Sequence, residues 1–379
     1  MIINIPFNKP FLTGNEHKYL HEAQRNGQLS GDGIFTKFCS EWIENYTGCN
    51  KALITHSCTA ALEMAGILLG IKPGDEVIMP SYTFVSTANA FVLRGGVPVF
   101  VDVNPKTQNI DETLIEQAIT SKTRAIVAVH YAGVACEMDV IMKIANDFNL
   151  IVIEDAAQGI MSSYKGRALG SIGHLGCYSF HETKNIISGE GGAILINDTS
   201  LIERAEIIRE KGTNRSSFSR GQVDKYTWID VGSSYLPGEI ISAFLWAQMQ
   251  EAEKITARRM EIWSRYHESF EKLERIGRVQ RPFIPKGSQH NAHMYYLILS
   301  DKADRTNFIE FMRGKGILCV FHYIPLHSSP QGLVSGRVGS ELLSTSMSAE
   351  CLVRLPLWLE LGEGQQTVID NAFQYLTGL

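Results

Sequence analysis

The sequence predicts an α/β protein with a mainly parallel sheet in a large domain and a smaller C-terminal α/β domain. Segments of helical period such as Met138–Phe148 alternate with short strands rich in Val and Ile, which favours parallel strands covered by helices on both faces. The length of 379 residues exceeds the usual range of one domain. The predicted strands are Ala52–Thr55, Glu76–Met79, Val97–Val103, Ala125–Val129, Leu150–Glu154 and Gly192–Asn197.

A long helix is predicted to begin near Met249 and to connect the two domains. Its apolar residues recur on one side, among them Ile255, Ile262, Trp263 and Tyr266. We therefore assign residues 1–250 to the large domain with an N-terminal arm, and residues 251–379 to the small C-terminal domain.

Lys184 and Asp155 form the most informative pair in the sequence. Lys184 follows an apolar segment and precedes the glycine-rich run Gly189–Gly192, and Asp155 ends an apolar strand. A lysine amine can bond covalently to an aldehyde cofactor while a carboxylate keeps the pyridine nitrogen of that cofactor protonated. The pair predicts pyridoxal phosphate, although Asp155 could also cap a turn.

A phosphate site is predicted where the strand Ala52–Thr55 meets the next helix. Ser57, Cys58 and Thr59 form a turn of small residues at the helix N-terminus. Unpaired amide groups and the positive end of the helix dipole attract phosphate there, and the two hydroxyls add donors. An ordinary helix cap has the same sequence signature.

Aromatic residues follow the strand Glu76–Met79 and could stack on a planar cofactor ring. Phe84 and Tyr82 both lie close to the strand end in sequence, and either could instead belong to the core. His181 lies three residues before Lys184 and could position the substrate or the lysine, or form only structural hydrogen bonds. The histidines show no spacing typical of a metal site, so no metal is predicted.

Composition favours an ordinary enzyme that does not bind nucleic acid. The formal net charge is -5 and no basic stripe is present. Seven cysteines without a C-x-x-C pair fit a reducing compartment, and the N-terminus resembles no signal peptide. No apolar run approaches the length of a membrane span. The expected location is the cytoplasm.

These motifs resemble the nucleotide-sugar aminotransferases, which belong to the fold type I group of pyridoxal phosphate enzymes. The resemblance covers nearly the whole chain. It rests on Asp155 with Gln158, on Ser179, on Lys184 with Gly189–Gly192, and on the segments Gly74–Ile78, Pro80–Phe84, Pro98–Asp102, Asn291–Tyr296 and Tyr323–His327.

The resemblance implies a role for each matching residue. Lys184 would be the catalytic lysine that bonds to the cofactor, and Asp155 would hold the pyridine nitrogen. Gln158 would lie near the ring hydroxyl, Phe84 would stack on the ring, and Ser179 would help the Ser57–Thr59 turn to hold the phosphate. Relatives that dehydrate sugars carry histidine at the lysine position, so Lys184 favours transamination.

Further binding residues follow from the same resemblance. His327 matches a position near the sugar nucleotide, and Tyr323 lies in the same segment; with His181 they are the expected substrate-binding residues. At the position of Ser234, many relatives have an asparagine that reaches the cofactor phosphate of a second subunit. The serine side chain is shorter than that of asparagine. Cys58 replaces a common glycine, which is acceptable if its φ is negative.

The implied reaction moves an amino group from L-glutamate to the C4 ketone of dTDP-4-keto-6-deoxy-D-glucose. Within the family, His130–Glu137, Phe180–Asn185 and Glu206–Arg215 favour the product dTDP-4-amino-4,6-dideoxy-D-galactose, a precursor of surface polysaccharide of the common antigen type. A homodimer with a shared active site is also implied. The alternative substrates or products involve amination at C3, a UDP sugar or the gluco configuration. A further alternative is a regulator that binds pyridoxal phosphate, but such a regulator would need an attached DNA-binding domain, and little sequence precedes Ser57.

Overall fold

A computed structural model describes residues 4–378, so the first three residues of the predicted N-terminal arm and residue 379 lie outside the described part. The strands fall close to their predicted positions. They are β1 Lys51–Thr55, β2 Glu76–Pro80, β3 Val97–Val101, β4 Thr123–Val129, β5 Ile151–Asp155, β6 Ser163–Tyr164, β7 Arg167–Ala168, β8 Leu175–Ser179, β9 Gly192–Ile196, β10 Ser288–Gln289, β11 Tyr295–Ile298, β12 Arg337–Val338 and β13 Leu352–Leu355.

Helices separate most of these strands. They are α1 Glu16–Arg25, α2 Ile34–Thr47, α3 Cys58–Leu68, α4 Val85–Val92, α5 Ile115–Ala118, α6 Met138–Phe148, α7 Ile202–Arg209, α8 Arg215–Ser219, α9 Glu239–Gln250, α10 Ala252–Ser269, α11 Glu271–Arg275, α12 Lys302–Gly314, α13 Pro330–Ser335, α14 Leu343–Cys351 and α15 Gly364–Thr377. Short 3₁₀ turns cover Glu112–Leu114, Tyr131–Gly133, Thr199–Leu201 and Leu326–Ser328.

The main sheet has eight strands in the order β1-β9-β8-β5-β4-β2-β3-β12. The strand β9 is antiparallel to both of its neighbours, and the other pairings are parallel. This arrangement confirms the predicted α/β class with a mainly parallel sheet. Since the ends of β2, β4, β5 and β8 share one edge, the residues that follow them can form one site.

The C-terminal part has its own core around the antiparallel pair β11 and β13. Large buried aromatic residues such as Tyr266, Phe270 and Phe308 fill it. The connecting helix α10 begins at Ala252, directly after α9 ends, which is close to the predicted start. The chain then returns to the large sheet, where β12 pairs with β3. The division at residues 250 and 251 stays a proposal.

Glu154 fixes the end of the central strand β5. Its carboxylate is fully buried and accepts hydrogen bonds from the amides of Gly170, Ile172 and Gly173 at 2.6 to 2.8 Å, and its other partner is His130 Nε2 at 2.9 Å. Burial alone raises the pKa of Glu154, but these hydrogen bonds outweigh it and leave the pKa below its ordinary value. The loop after β7 and the end of β4 are thereby tied to β5.

Replacing Glu154 with Gln is expected to lower the free energy of unfolding by about 3 kcal/mol, because an amide nitrogen would face groups that only donate. Urea denaturation measures the change. The matched control is Glu310→Gln on the exposed face of α12, which should stay within about 0.5 kcal/mol of the unmodified protein. Equal stability of the two variants would mean that this carboxylate does not anchor β5.

Candidate active site

A cavity of about 810 Å³ opens at the carboxyl edge of the large sheet. One wall consists of residues from the strand ends and from the starts of α3 and α4, and the opposite wall comes from the C-terminal part, including α10 and β13. Such a position, between two packed units at the ends of parallel strands, is typical of ligand sites.

Lys184 and Asp155 both line this cavity. Asp155 is the last residue of β5, and Lys184 lies in the loop between β8 and β9. Burial lowers the pKa of Lys184, although Cys58 and Asp155 act in the opposite direction. A lowered pKa makes more of the neutral amine available, and the neutral amine is the nucleophilic form.

Asp155 is buried with few hydrogen-bond partners. Thr87 Oγ1 donates to its Oδ2 at 2.7 Å, and the amide of Ala157 donates to its Oδ1 at 3.2 Å. Burial raises the pKa of Asp155 despite these two bonds and the charge of Lys184. A carboxylate in this state gains most from a positively charged hydrogen-bond donor, which a protonated pyridine nitrogen supplies.

The Ser57–Thr59 turn forms the start of α3 as predicted. Ser57 caps the helix by accepting the amide of Ala60 at 3.0 Å, and within residues 4–378 the amides of Cys58 and Thr59 have no hydrogen-bond partner. Cys58 does not have a positive φ, which removes the objection to a non-glycine residue there. The turn therefore offers two free amide donors to an anion.

Gly192 keeps the glycine-rich run close to this turn. A Cβ atom at Gly192 would lie 2.4 Å from the backbone nitrogen of Cys58, so only glycine allows this approach without a shift of the backbone.

Ser179 at the end of β8 also lines the cavity, where its Oγ accepts the amide of His181 at 3.4 Å. Thr59 also lines the cavity, and its Oγ1 bonds to Ser86 Oγ at 2.8 Å.

Of the two aromatic residues predicted to stack on the cofactor, Phe84 is the one that lines the cavity. It precedes α4 directly and its side chain is 57% exposed, whereas Tyr82 is buried among other aromatic residues and is absent from the cavity lining within residues 4–378. Gln158 also lines the cavity and donates to the hydroxyl of Tyr323 at 2.9 Å. Tyr323 lies beside Phe84, with ring centroids 6.4 Å apart.

Three other predicted residues have different positions. His181 lies at the cavity rim, with Nδ1 bonded to Thr183 at 2.9 Å. His327 does not belong to the cavity lining within residues 4–378, and its Nδ1 bonds to Ser81 Oγ at 2.8 Å, so it fastens the loop after β2. Ser234 is exposed and does not belong to the lining of the cavity in residues 4–378.

Sequence reasoning missed several cavity residues, and four of them bear on the proposed chemistry, namely Thr87, Arg259, His293 and Arg354. Three of them come from the C-terminal part, on α10, before β11 and on β13. Only the segment that contains His293 carried a sequence signal, because it belongs to the Asn291–Tyr296 resemblance. Thr87 could have been found from its place in the first turn of a helix after a strand end.

These residues fit pyridoxal phosphate. When bound, the cofactor supplies a conjugated ring that stabilises negative charge at a carbon attached through an amine. Asp155 would hold the pyridine nitrogen, Lys184 would bond to the aldehyde carbon, and the free amides of the Ser57–Thr59 turn would hold the phosphate. The buried carboxylate and the unpaired amides are otherwise costly features, and the cofactor would satisfy both.

Comparison with known proteins agrees with this interpretation. Residues 10–374 match the DegT/DnrJ/EryC1/StrS aminotransferase family. The chain is 34% identical to the GDP-perosamine synthase of Caulobacter vibrioides, with 85% of both chains covered. It is 32% identical to the spore coat polysaccharide biosynthesis protein SpsC of Bacillus subtilis, with 86% of this chain and 85% of SpsC covered.

A solved structure has the same fold. The PLP form of Spr1654 from Streptococcus pneumoniae superposes with a TM-score of 0.89 and 25% identity, covering 99% of each chain. Fold and site together define a pyridoxal phosphate-dependent sugar aminotransferase. The chain belongs to the DegT/DnrJ/EryC1/StrS aminotransferase family. The predicted enzyme class, fold type I architecture and cofactor are therefore confirmed.

Within the described residues, 4–378, no helix is both long enough and apolar enough to cross a membrane.

Replacing Asp155 with Asn is expected to reduce kcat by roughly 100-fold, because a neutral amide cannot keep the pyridine nitrogen protonated. Cofactor binding should largely survive, since the lysine and the phosphate turn are unchanged. Steady-state kinetics and the visible spectrum report the two effects separately. The control Asp147→Asn, on the exposed side of α6, should retain full activity. Near-normal turnover of the Asp155 variant would exclude this carboxylate from the chemistry.

Proposed function

We propose that this protein is the dTDP-fucosamine transaminase, which converts dTDP-4-keto-6-deoxy-D-glucose to dTDP-4-amino-4,6-dideoxy-D-galactose with L-glutamate as the amino donor. The product would enter surface polysaccharide biosynthesis of the common antigen type. The observation that carries this proposal is the resemblance of His130–Glu137, Phe180–Asn185 and Glu206–Arg215 to that member of the family. Two of the three segments contribute residues to the cavity, His130 and Lys184 among them.

The proposed residue roles follow from position. Asp155, Gln158 and Phe84 would contact the cofactor ring, and Ser57, Cys58, Thr59 and Ser179 its phosphate. Lys184, once its amine is free, would take a proton from the α carbon of glutamate and later deliver one to C4 of the sugar. The face of that delivery would give the galacto configuration. His181, Tyr323 and His327 would contact or position the sugar nucleotide.

Arg354 supports an amino donor with carboxylate groups. Its guanidinium lines the cavity, and its hydrogen bonds within the described chain go to the carbonyl oxygen of Phe321, from Nε at 3.3 Å and Nη2 at 3.1 Å. Its side chain also covers the ring of Phe7, 4.8 Å from the centroid. No carboxylate pairs with it in residues 4–378. A ligand carboxylate would supply that missing partner.

A homodimer with a shared active site is supported by an exposed apolar segment. Tyr226, Trp228 and Ile229 are 55%, 77% and 51% exposed, and Ser234 follows them at the surface. A patch of this kind is typical of a protein interface. In the proposed dimer, this segment covers the second subunit, and Ser234 lies near the second cofactor phosphate.

A cytoplasmic setting is also part of the proposal. All seven cysteines are buried and unpaired, which fits a reducing compartment.

A GDP-linked keto sugar is the second candidate substrate. The 34% identity to a GDP-perosamine synthase favours it, because that relative bears the name of a GDP sugar. The two candidates share the chemistry at the cofactor and differ in the nucleotide.

Spectroscopy with the purified holoenzyme tests the proposed function. L-glutamate should bleach the visible band of the lysine-linked cofactor, and dTDP-4-keto-6-deoxy-D-glucose should restore it, with NMR of the product showing an axial amine at C4. Lys184→Ala should lack the borohydride-reducible link. Restoration by a GDP-linked or UDP-linked keto sugar alone, or an amine at C3, would overturn the proposed substrate while leaving the aminotransferase class intact.

Replacing Arg354 with Gln is expected to raise the KM for glutamate by roughly 10- to 100-fold, because a charge-assisted hydrogen bond to the donor carboxylate is lost. The KM for the sugar should change little. Initial-rate kinetics with each substrate varied in turn measure both constants. The control Arg313→Gln changes an exposed arginine at the end of α12 and should leave both KM values unchanged. A larger effect on the sugar KM would assign the guanidinium to the nucleotide sugar.

A further inference from the structure

His293 contributes an imidazole to the cavity wall through a chain of hydrogen bonds that begins beside the catalytic lysine. Asn185, the residue after Lys184, donates from Nδ2 to the carbonyl oxygen of Asn291 at 2.8 Å. The other amide atom, Asn185 Oδ1, lies 3.0 Å from His293 Nδ1. His293 lines the cavity together with Lys184.

This chain of bonds determines which ring nitrogen carries the hydrogen. A carbonyl oxygen can only accept, so the NH₂ group of Asn185 must face Asn291, and its oxygen must then face the imidazole. Since that oxygen also only accepts, Nδ1 of His293 is the protonated nitrogen. The lone pair of the neutral ring is therefore on Nε2.

The environment keeps the ring in its neutral form. Burial lowers the pKa of His293 well below its ordinary value, and the charges of Lys184, Arg259 and Arg354 lower it further. Within residues 4–378, Nε2 has no hydrogen-bond partner. The cavity thus contains a fixed, neutral acceptor among cationic side chains.

The backbone around His293 is held as firmly as its ring. Arg259 donates to the carbonyl oxygens of Ala292 at 3.1 Å and of His293 at 2.7 Å. Asn291 Nδ2 donates to the carbonyl oxygens of Gln158 and Ile160 at 2.8 and 2.6 Å, which fastens the segment to the large domain. Ala292 has a φ of 51°, a strained conformation for alanine that persists because these bonds fix it.

We propose that His293 is a specificity-determining residue for the sugar, and that its Nε2 accepts a hydrogen bond from a hydroxyl group of the keto sugar. This inference rests on the proposed function. Of the two substrates that would use the cavity in turn, glutamate offers carboxylates, which only accept, besides the amine that reacts. The sugar hydroxyls are donors and match the lone pair.

Two substitutions separate this role from a structural one. His293→Asn places an amide nitrogen near the position of Nδ1, so it can keep the bond to Asn185 while removing the acceptor at Nε2. His293→Gln extends further, so its side-chain oxygen can replace Nε2 while the bond to Asn185 is lost. Each half-reaction is followed by stopped-flow absorbance of the cofactor band, with L-glutamate first and dTDP-4-keto-6-deoxy-D-glucose second.

The Asn variant is expected to slow the sugar half-reaction at subsaturating sugar by roughly 10- to 100-fold and to leave the glutamate half-reaction within about twofold. The Gln variant is expected to recover most of the sugar rate. The inference would be overturned if the Asn variant lost little of the sugar rate and the Gln variant lost most of it. Equal losses in both half-reactions would also overturn it, because either result would show a purely structural histidine.

Failure of the proposed function gives a different result. In that case the unmodified enzyme itself would not regain its band with the dTDP sugar, before any variant is compared. If the unmodified enzyme completes both half-reactions and the Asn variant matches it with the sugar, only the role of His293 is refuted.

Discussion

The need of a buried carboxylate for a positive partner is the constraint around which this site is arranged. Asp155 lies at the end of a central strand, where one hydroxyl and one amide are its only hydrogen-bond partners within the described residues. In a medium of low polarity, an incompletely satisfied carboxylate is costly, and burial accordingly raises its pKa. A protonated pyridine ring bound beside Asp155 would remove this cost.

Glu154, the residue before Asp155, has the hydrogen-bond donors that Asp155 lacks. Glu154 and Asp155 point to opposite faces of the sheet because side chains alternate along a strand. Three amides and an imidazole surround the carboxylate of Glu154, and its pKa lies below the ordinary value. The pKa of Asp155 lies above the ordinary value. One carboxylate therefore stabilises the fold, and the other is left available for a ligand.

Local sequence signals predicted the part of the site that lies on the sheet. Asp155, Lys184 and the Ser57–Thr59 turn each follow or precede a strand within a few residues, so strand and turn patterns were sufficient. Arg259 and Arg354 gave no such signal, because their place in the cavity depends on how the C-terminal part packs against the sheet. His327 resembles a binding residue in sequence, yet its ring is bonded to Ser81 behind the lining.

The wall contributed by the C-terminal part explains how one cavity could serve two chemically different substrates. A guanidinium that has no carboxylate partner within residues 4–378 would attract an anionic donor, and its charge also lowers the pKa of the nearby imidazole. A neutral imidazole can accept from a hydroxyl, which a protonated one cannot. Arg354 and His293 are therefore coupled: the same positive charge that would bind glutamate would preserve the acceptor for the sugar.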